Sequence, residues 1–242
     1  MKKQKYNEED FKWWTSPAKD SANQIVPYIL EHFPVFSVLD IGCAEGVWLS
    51  KFKDLGVQKI LGLDGPWVNT ESLHIPASCF RNVNLSSYCH DPEDKFDLSI
   101  CLEVAEHLDE DASDRLISNL TVSSNLILFS AAVPEQGGQN HVNEQPPVYW
   151  KEKFAKRGFK QFDLIRAGFW DNENVAWWYR QNIMIYSKNC ISESFNNQCT
   201  DFHGFHIIHP TAFAEKCQEI SIENASARNL CKALIKKLIN FN

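Results

Sequence analysis

One segment constrains the fold more than any other. The short apolar run Phe36-Ser-Val-Leu-Asp-Ile41 breaks into Gly42 and Gly46, and a helix-patterned stretch over residues 47–55 follows, stopped by Gly56. A short apolar run bounded by glycine reads as a buried strand, and the stretch behind it as a helix. The pattern recurs along the chain. Helical spacing of Ile25, Val26, Ile29 and Leu30 predicts a helix over residues 21–33, closed by Pro34. Residues 59–63 predict a second strand that ends at Asp64-Gly65, residues 80–85 a weaker third, 96–102 a fourth and 125–133 a fifth. Strands alternating with helical stretches specify an α/β fold with a mostly parallel, doubly wound sheet.

Toward the end the rhythm changes. Residues 162–167 and 180–186 read as strands, joined by the aromatic and polar segment Gly168-Phe-Trp-Asp-Asn-Glu-Asn-Val-Ala-Trp-Trp-Tyr179. A parallel crossover needs about a dozen residues or more, usually a helix, and this segment lacks helical periodicity. The last two strands are therefore expected to be antiparallel. Beyond Lys188 the composition loosens into a linker, and two helical segments follow. The second sets Leu230, Leu234 and Leu238 opposite Lys232, Lys236 and Lys237. These readings divide the chain into a domain over residues 1–189 and a helical appendage over 190–242. The appendage either packs on its own domain or forms a partner contact, such as a homodimer.

The charge balance limits the partners. Of 242 residues, 24 are Lys or Arg and 31 are Asp or Glu, for a net charge of −7. That balance argues against a nucleic-acid partner, whose non-specific affinity rests on clustered Lys and Arg. The first residues have no apolar run behind their charges, as a secretory signal would. No stretch approaches the roughly 18 apolar residues of a membrane span. The eight cysteines are dispersed without a CxxC pair, as expected of reduced thiols and a cytoplasmic location.

The chemistry begins at Val38-Leu-Asp-Ile-Gly-Cys-Ala-Glu-Gly-Val-Trp-Leu49. A strand ends beside Asp40, and two glycines let the backbone turn tightly and approach a ligand before a helix begins. The dinucleotide pattern G-x-G-x-x-G is not met, because its later glycines fall on Ala44 and Val47. An NAD-dependent oxidoreductase is thereby disfavoured. Asp64, at the tip of the second strand, stands where a carboxylate takes both hydroxyls of a ribose. Together these residues resemble the class I S-adenosylmethionine-dependent methyltransferases, over roughly residues 20–188. The resemblance implies a Rossmann-like methyltransferase fold, a seven-stranded sheet with an antiparallel last strand. By position it puts Asp40, Gly42, Cys43, Ala44 and Gly46 on the methionine and ribose side of S-adenosylmethionine, and Asp64 with Gly65 at the ribose. It puts Asn84 and Leu85 near the adenine, where Asn84 replaces the usual acid. Trp67 is placed either beside the adenine or in packing. Phe96-Asp-Leu-Ser-Ile-Cys-Leu-Glu-Val-Ala-Glu-His107 resembles the family's fourth-strand motif, which places Leu102 and Glu103 beside the methionine portion. Glu106 and His107 are expected to begin the next helix or to face substrate, with Glu106 a solvated helix acid in preference to a catalytic one.

The fifth strand leads into Pro134-Glu-Gln-Gly-Gly-Gln-Asn-His-Val-Asn-Glu-Gln-Pro-Pro-Val-Tyr-Trp150. Polar loops at this edge of such a sheet carry chemistry. This segment, with Trp178-Tyr-Arg-Gln-Asn182, resembles a bacterial methyltransferase subgroup associated with surface-polysaccharide biosynthesis. A hydroxyl acceptor must lose a proton, and imidazole is the side chain suited to that near neutral pH. His141 is the candidate base, with Glu144 as its orienter or as an alternative base; the competing reading is that His141 and Asn143 brace the loop. His107, Asn143, Trp170, Asp171 and Trp177 are the candidate acceptor contacts. No metal site is expected. His203, His206 and His209 are evenly spaced, but Pro210 interrupts any helix that would align them. The expected function is O-methylation of a sugar or other polar small acceptor in capsule or lipopolysaccharide synthesis. The alternatives are N-methylation of an amino sugar, methylation of another metabolite or a phosphate-type group, and a cofactor-binding protein without turnover.

Overall fold

The computed structural model of the chain describes residues 8–189 and 207–219. Seven strands form one sheet: β1 (Ser37–Ile41), β2 (Lys59–Asp64), β3 (Phe80–Asn82), β4 (Leu98–Leu102), β5 (Leu126–Ser130), β6 (Lys160–Phe162) and β7 (Met184–Ser187). Their order across the sheet is β3-β2-β1-β4-β5-β7-β6. The first five strands pair in parallel, and β7 runs antiparallel to both β5 and β6. Hence β6 points the same way as β1 to β5. This is the Rossmann-like methyltransferase arrangement expected from the sequence.

Buried residues follow one another without alternation, as in Leu98, Ile100 and Cys101 of β4, because helices cover both faces of the sheet. One face packs against α1 (Glu8–His32), α2 (Val47–Asp54), α5 (Leu164–Phe169) and α6 (Trp177–Asn182) through Ile25, Ile29, Leu49, Phe52 and Ile165. The other packs against α3 (Glu110–Ser123) and α4 (Pro147–Ala155) through Leu116, Leu120, Trp150 and Phe154. The chain divides into two compact units, Met1–Ile207 and Ile208–Asn242. The second contains α7 (Pro210–Glu219). The linker after residue 189, His203, His206 and the amphipathic stretch around Leu230, Leu234 and Leu238 lie outside the described residues.

Several local expectations need correction. α1 starts at Glu8, well before residue 21, and contains Pro17 and Pro27, residues that read in sequence as boundaries. Only Phe162 of residues 162–167 is in a strand, and α5 takes over from Leu164. A short apolar run does not distinguish strand from buried helix. Here Leu164 and Ile165 pack on the α1 face, while Arg166 turns back onto Asp163 three residues earlier. Residues 180–182 close α6, and the last strand begins at Met184. Trp177 and Trp178 therefore open a helix and do not sit in extended chain. No helix among the described residues is long and apolar enough to cross a membrane.

Candidate active site

The loop after β1 is a backbone construction. Gly42, Ala44 and Gly46 all take positive φ, 91°, 48° and 79°, a region that favours residues without a Cβ. A Cβ at Gly42 would collide with the side chain of Val104 in the turn after β4. The Gly42 and Cys43 amides both donate to the Leu63 carbonyl of β2, at 2.7 and 3.2 Å. The Ala44 amide donates to one oxygen of Asp64 at 2.7 Å, and the Gly65 amide to the other at 2.6 Å. Asp64 thus ties the tip of β2 to the glycine loop. A carboxylate has about four lone-pair sites, so it can also accept ribose hydroxyls. The Trp67 indole lies against Gly65, in an apolar cluster with Val68 and Ala44.

Beside this loop the site is acidic. Burial, and then the charge of Asp64, push the Asp40 carboxyl well above the usual carboxylate range. Glu103, the residue after β4, has a φ of 55°. Its carboxylate accepts from Gln136 Nε2 at 3.2 Å and from Asn182 Nδ2 at 3.1 and 3.3 Å. Burial pushes it up to about 7, against hydrogen bonds from Ser130, Asn182 and Gln136 that favour its charged form. Neither Asp40 nor Glu103 has an ion-pair partner among the described residues. A cationic ligand would restore the charged form of both. The sulfonium and ammonium of S-adenosylmethionine fit that requirement.

The loop after β5 is held by side chains. Glu144 accepts from the Glu135 amide at 2.9 Å and the Gly137 amide at 2.7 Å, and lies 2.8 Å from His141 Nδ1. The His141 ring rests on Gly138, where a Cβ would collide with it. Val142 and Asn143 both donate their amides to the Glu106 carbonyl, at 2.8 and 3.0 Å. The Asn143 side chain donates to Ser113 Oγ at 2.9 Å and accepts from Gln145 at 2.9 Å. These bonds fasten the post-β5 loop to the turn after β4. Gln136 reaches Glu103 from the same loop, so both loops meet at the carboxyl ends of β4 and β5.

Residues 15–125 match the family model described as a methyltransferase domain. The chain carries a methyltransferase domain. No curated protein matches the chain in sequence. In fold it is similar to magnesium protoporphyrin IX methyltransferase from Synechocystis PCC 6803 with bound SAH, at 14% identity and a TM-score of 0.51, covering 72% of this chain and 84% of that one. It is also similar to an O-methyltransferase family protein from Burkholderia thailandensis, at 12% identity and a TM-score of 0.54, covering 76% and 59%. A third is CalS10, an amino pentose methyltransferase from Micromonospora echinaspora, at 12% identity and a TM-score of 0.52, covering 71% and 92%. The methyl donor of such a domain is S-adenosylmethionine.

The methyltransferase domain gathers the expected donor-side residues at one edge of its sheet. Asp40 and Leu102 lie in the strand ends, Gly42, Cys43, Ala44 and Gly46 in the first loop, and Asp64 and Gly65 at the tip of β2. Asn84 lies just past β3; it is exposed, and its side-chain oxygen accepts from the Ser86 amide at 3.1 Å. Leu85 is buried in the core. His141 and Glu144 come together as expected, and His107 joins them, its ring 4.7 Å from that of His141. Asn143 is spent on bracing the loop. Trp170, Asp171 and Trp177 belong to a segment bonded to α1, through Asn172 with Gln24 and the Ala176 amide with Ser21. Glu106 is a correction. It is fully buried within the short turn Ala105–His107, not solvated on a helix. The sequence reading also missed Gln136, Gln181 and Asn182 as contacts of the Glu103 cluster. Their only signal was membership of the two polar motifs that carry the subgroup resemblance.

Proposed function

We propose that this domain transfers a methyl group from S-adenosylmethionine to a hydroxyl oxygen of a sugar or other polar small acceptor, in surface-polysaccharide synthesis. The observation that carries the reading is the His141–Glu144 pair, 2.8 Å apart, on a loop fastened to the turn that flanks the acidic donor cleft. S-adenosylmethionine supplies an activated methyl group, so positioning provides much of the acceleration. Asp64 holds the donor through its ribose. Asp40 and Glu103 favour the donor's positive charge. The His141–Glu144 pair promotes loss of the acceptor's proton, with Glu144 fixing the ring's orientation.

Trp170, Asp171 and Trp177 are assigned to the wall of the acceptor pocket. Trp177 opens α6 and Asn182, at the other end, binds Glu103; at 1.5 Å per residue these positions lie about 7.5 Å apart along the helix axis. An indole face suits the apolar C–H face of a sugar ring, and a carboxylate accepts its hydroxyls. The subgroup resemblance supports the polysaccharide setting. CalS10 illustrates the same fold in an amino pentose methyltransferase.

The test pairs calorimetry with turnover. S-adenosylhomocysteine should bind the full chain while NAD does not, and a panel of nucleotide sugars and polysaccharide fragments should yield a methyl ether. Binding of NAD alone would make the protein an oxidoreductase. A methylated amine would move the reading to N-methylation of an amino sugar. Donor binding without turnover on any acceptor class would leave a non-catalytic binding protein.

A further inference from the structure

Glu106 is the least explained side chain in the domain. It is 0% exposed, no side chain among the described residues bonds either carboxylate oxygen, and its polar neighbours are the backbone of Glu106 itself and of Ala132, too long or bent for full hydrogen bonds. A buried polar group without a good partner costs folding free energy, and more when it is charged. Native structures keep such groups for a reason. The surroundings supply one. Glu106, His107 and His141 each offer a ligand atom, and these atoms all lie within 4.8 Å of one another. The backbone of the same turn is fixed from outside, since the Glu106 carbonyl accepts from Val142 and Asn143. His141 Nδ1 is engaged with Glu144, which leaves Nε2 as that ring's ligand atom. A carboxylate behind a histidine is the usual second layer of a metal site, where it fixes the tautomer and raises ligand basicity.

We propose that Glu106, His107 and His141 bind a divalent first-row transition-metal ion. The donor set selects the class. Magnesium and calcium prefer cages of oxygen, and copper(I) prefers thiolate or thioether. Two imidazoles with one carboxylate suit zinc, manganese, iron(II) or cobalt(II) and leave coordination positions open. Ligand atoms around a tetrahedral ion with bonds of about 2.1 Å lie roughly 3.4 Å apart, so the cluster needs to contract only modestly. Glu103 is not part of the set, because Gln136 and Asn182 hold its carboxylate. The assignment rests on the methyl-transfer reading and deepens it. The open position would take the acceptor's hydroxyl oxygen, and the ion would lower that hydroxyl's pKa. His141 then acts as a ligand of the ion and not as the proton's receiver: the acidified hydroxyl gives its proton to solvent water, its oxygen forms the bond to the methyl carbon, and the electron pair of the broken C–S bond stays on the sulfur of S-adenosylhomocysteine. The sequence concealed the triad by dividing it between the turn after β4 and the loop after β5.

The test uses the full chain stripped with a chelator and desalted, titrated separately with cobalt, manganese and zinc chlorides. Calorimetry should give one ion per chain with micromolar or tighter affinity, and cobalt should add visible absorption bands of a site containing nitrogen ligands. Glu106→Gln is nearly isosteric and removes the carboxylate that would ligate the ion. It should weaken binding at least tenfold while S-adenosylhomocysteine affinity changes less than threefold. His107→Gln should weaken the ion to a similar degree, and decides the matter if the first variant melts early. Absence of binding below millimolar ion, or binding that both variants leave unchanged, overturns the site. Since the titration needs neither donor nor acceptor, its failure with S-adenosylhomocysteine still bound refutes the ion alone. Failure of S-adenosylhomocysteine to bind the wild-type chain would refute the methyl-transfer reading instead.

Discussion

The loops after β1 and after β5 both touch the turn after β4, through Gly42 against Val104 and Gln136 on Glu103, and are built in opposite ways. The first is shaped by backbone geometry, through the left-handed residues Gly42, Ala44 and Gly46 and amides held by β2. The second is held by side chains, with Glu144, Asn143 and Gln136 each making bonds that its backbone alone would not. The first lies inside the stretch matched by the methyltransferase family model, and the second beyond it. A backbone-built loop can be shared by many enzymes that bind one donor. A side-chain-built loop can be altered position by position for a particular acceptor.

That contrast is open to direct attack. The largest effect is expected in the second loop, where His141→Asn should lower turnover roughly 10²-fold and leave S-adenosylhomocysteine affinity nearly intact. Full activity would remove His141 from the chemistry. A change confined to the acceptor's apparent binding constant would make it a positioning residue. Next comes Gly42→Ala, which forces a Cβ into Val104 at a φ of 91°. The cost should be on the order of 1–3 kcal/mol, seen as a lower melting temperature together with weaker donor binding. An unshifted melting curve would show that the loop relaxes easily and would blur the contrast.

Asp64→Ala should weaken S-adenosylhomocysteine about tenfold, or roughly 1.4 kcal/mol. Unchanged affinity in a folded variant would reduce Asp64 to a loop tie. The smallest effect concerns Glu103, where the two loops meet. Its carboxyl is raised from 4.5 to about 7 in the folded chain. Between those values the unfolded chain has lost a proton that the folded chain keeps, so stability falls as pH rises through that window. Thermal melts without donor should drop by several degrees from pH 5 to 7.5. Glu103→Gln should flatten the drop, and an equally steep profile in that variant would place its origin elsewhere.

The same contrast explains what could be read in advance. Gly42 and Asp64 were legible because a left-handed turn and a strand tip restrict the residue type locally. The antiparallel end of the sheet was expected because few residues were read between the last two strands; the direction holds, but 21 residues with α5 and α6 separate β6 from β7, so chain length is not its cause. Glu106 was not legible. Its neighbours read as an ordinary helix start, and the short turn that holds it is tied by its carbonyl to the Val142 and Asn143 amides of another loop, a contact no local pattern announces. Residues 162–167 failed for a different reason. Leu164 and Ile165 would fit a buried strand equally well, and packing against α6 and β7 on the α1 face of the sheet selects the helix. His107 and His141 were each visible as candidates, whereas their shared geometry with Glu106 belongs to the tertiary fold alone.

The reversal of β7 fixes where the chain leaves the sheet. Strands β1, β4 and β5 deliver their carboxyl ends to the edge that carries Asp40 and Glu103. β7 delivers its amino end, which is why Asn182 reaches Glu103 just before the strand begins. Its carboxyl end, Ser187, pairs with Leu126 at the start of β5, and the Lys188 amide donates to Asn125. The polypeptide therefore exits at the side away from the methyl-transfer edge. A tether, tag or binding partner joined just after Lys188 starts from the opposite edge of the sheet, whereas residues inserted between α6 and β7 would lie beside Asn182 and Glu103. Engineering a new specificity and attaching the enzyme to a support are thus separable tasks, assigned by one strand's direction to opposite ends of the same sheet.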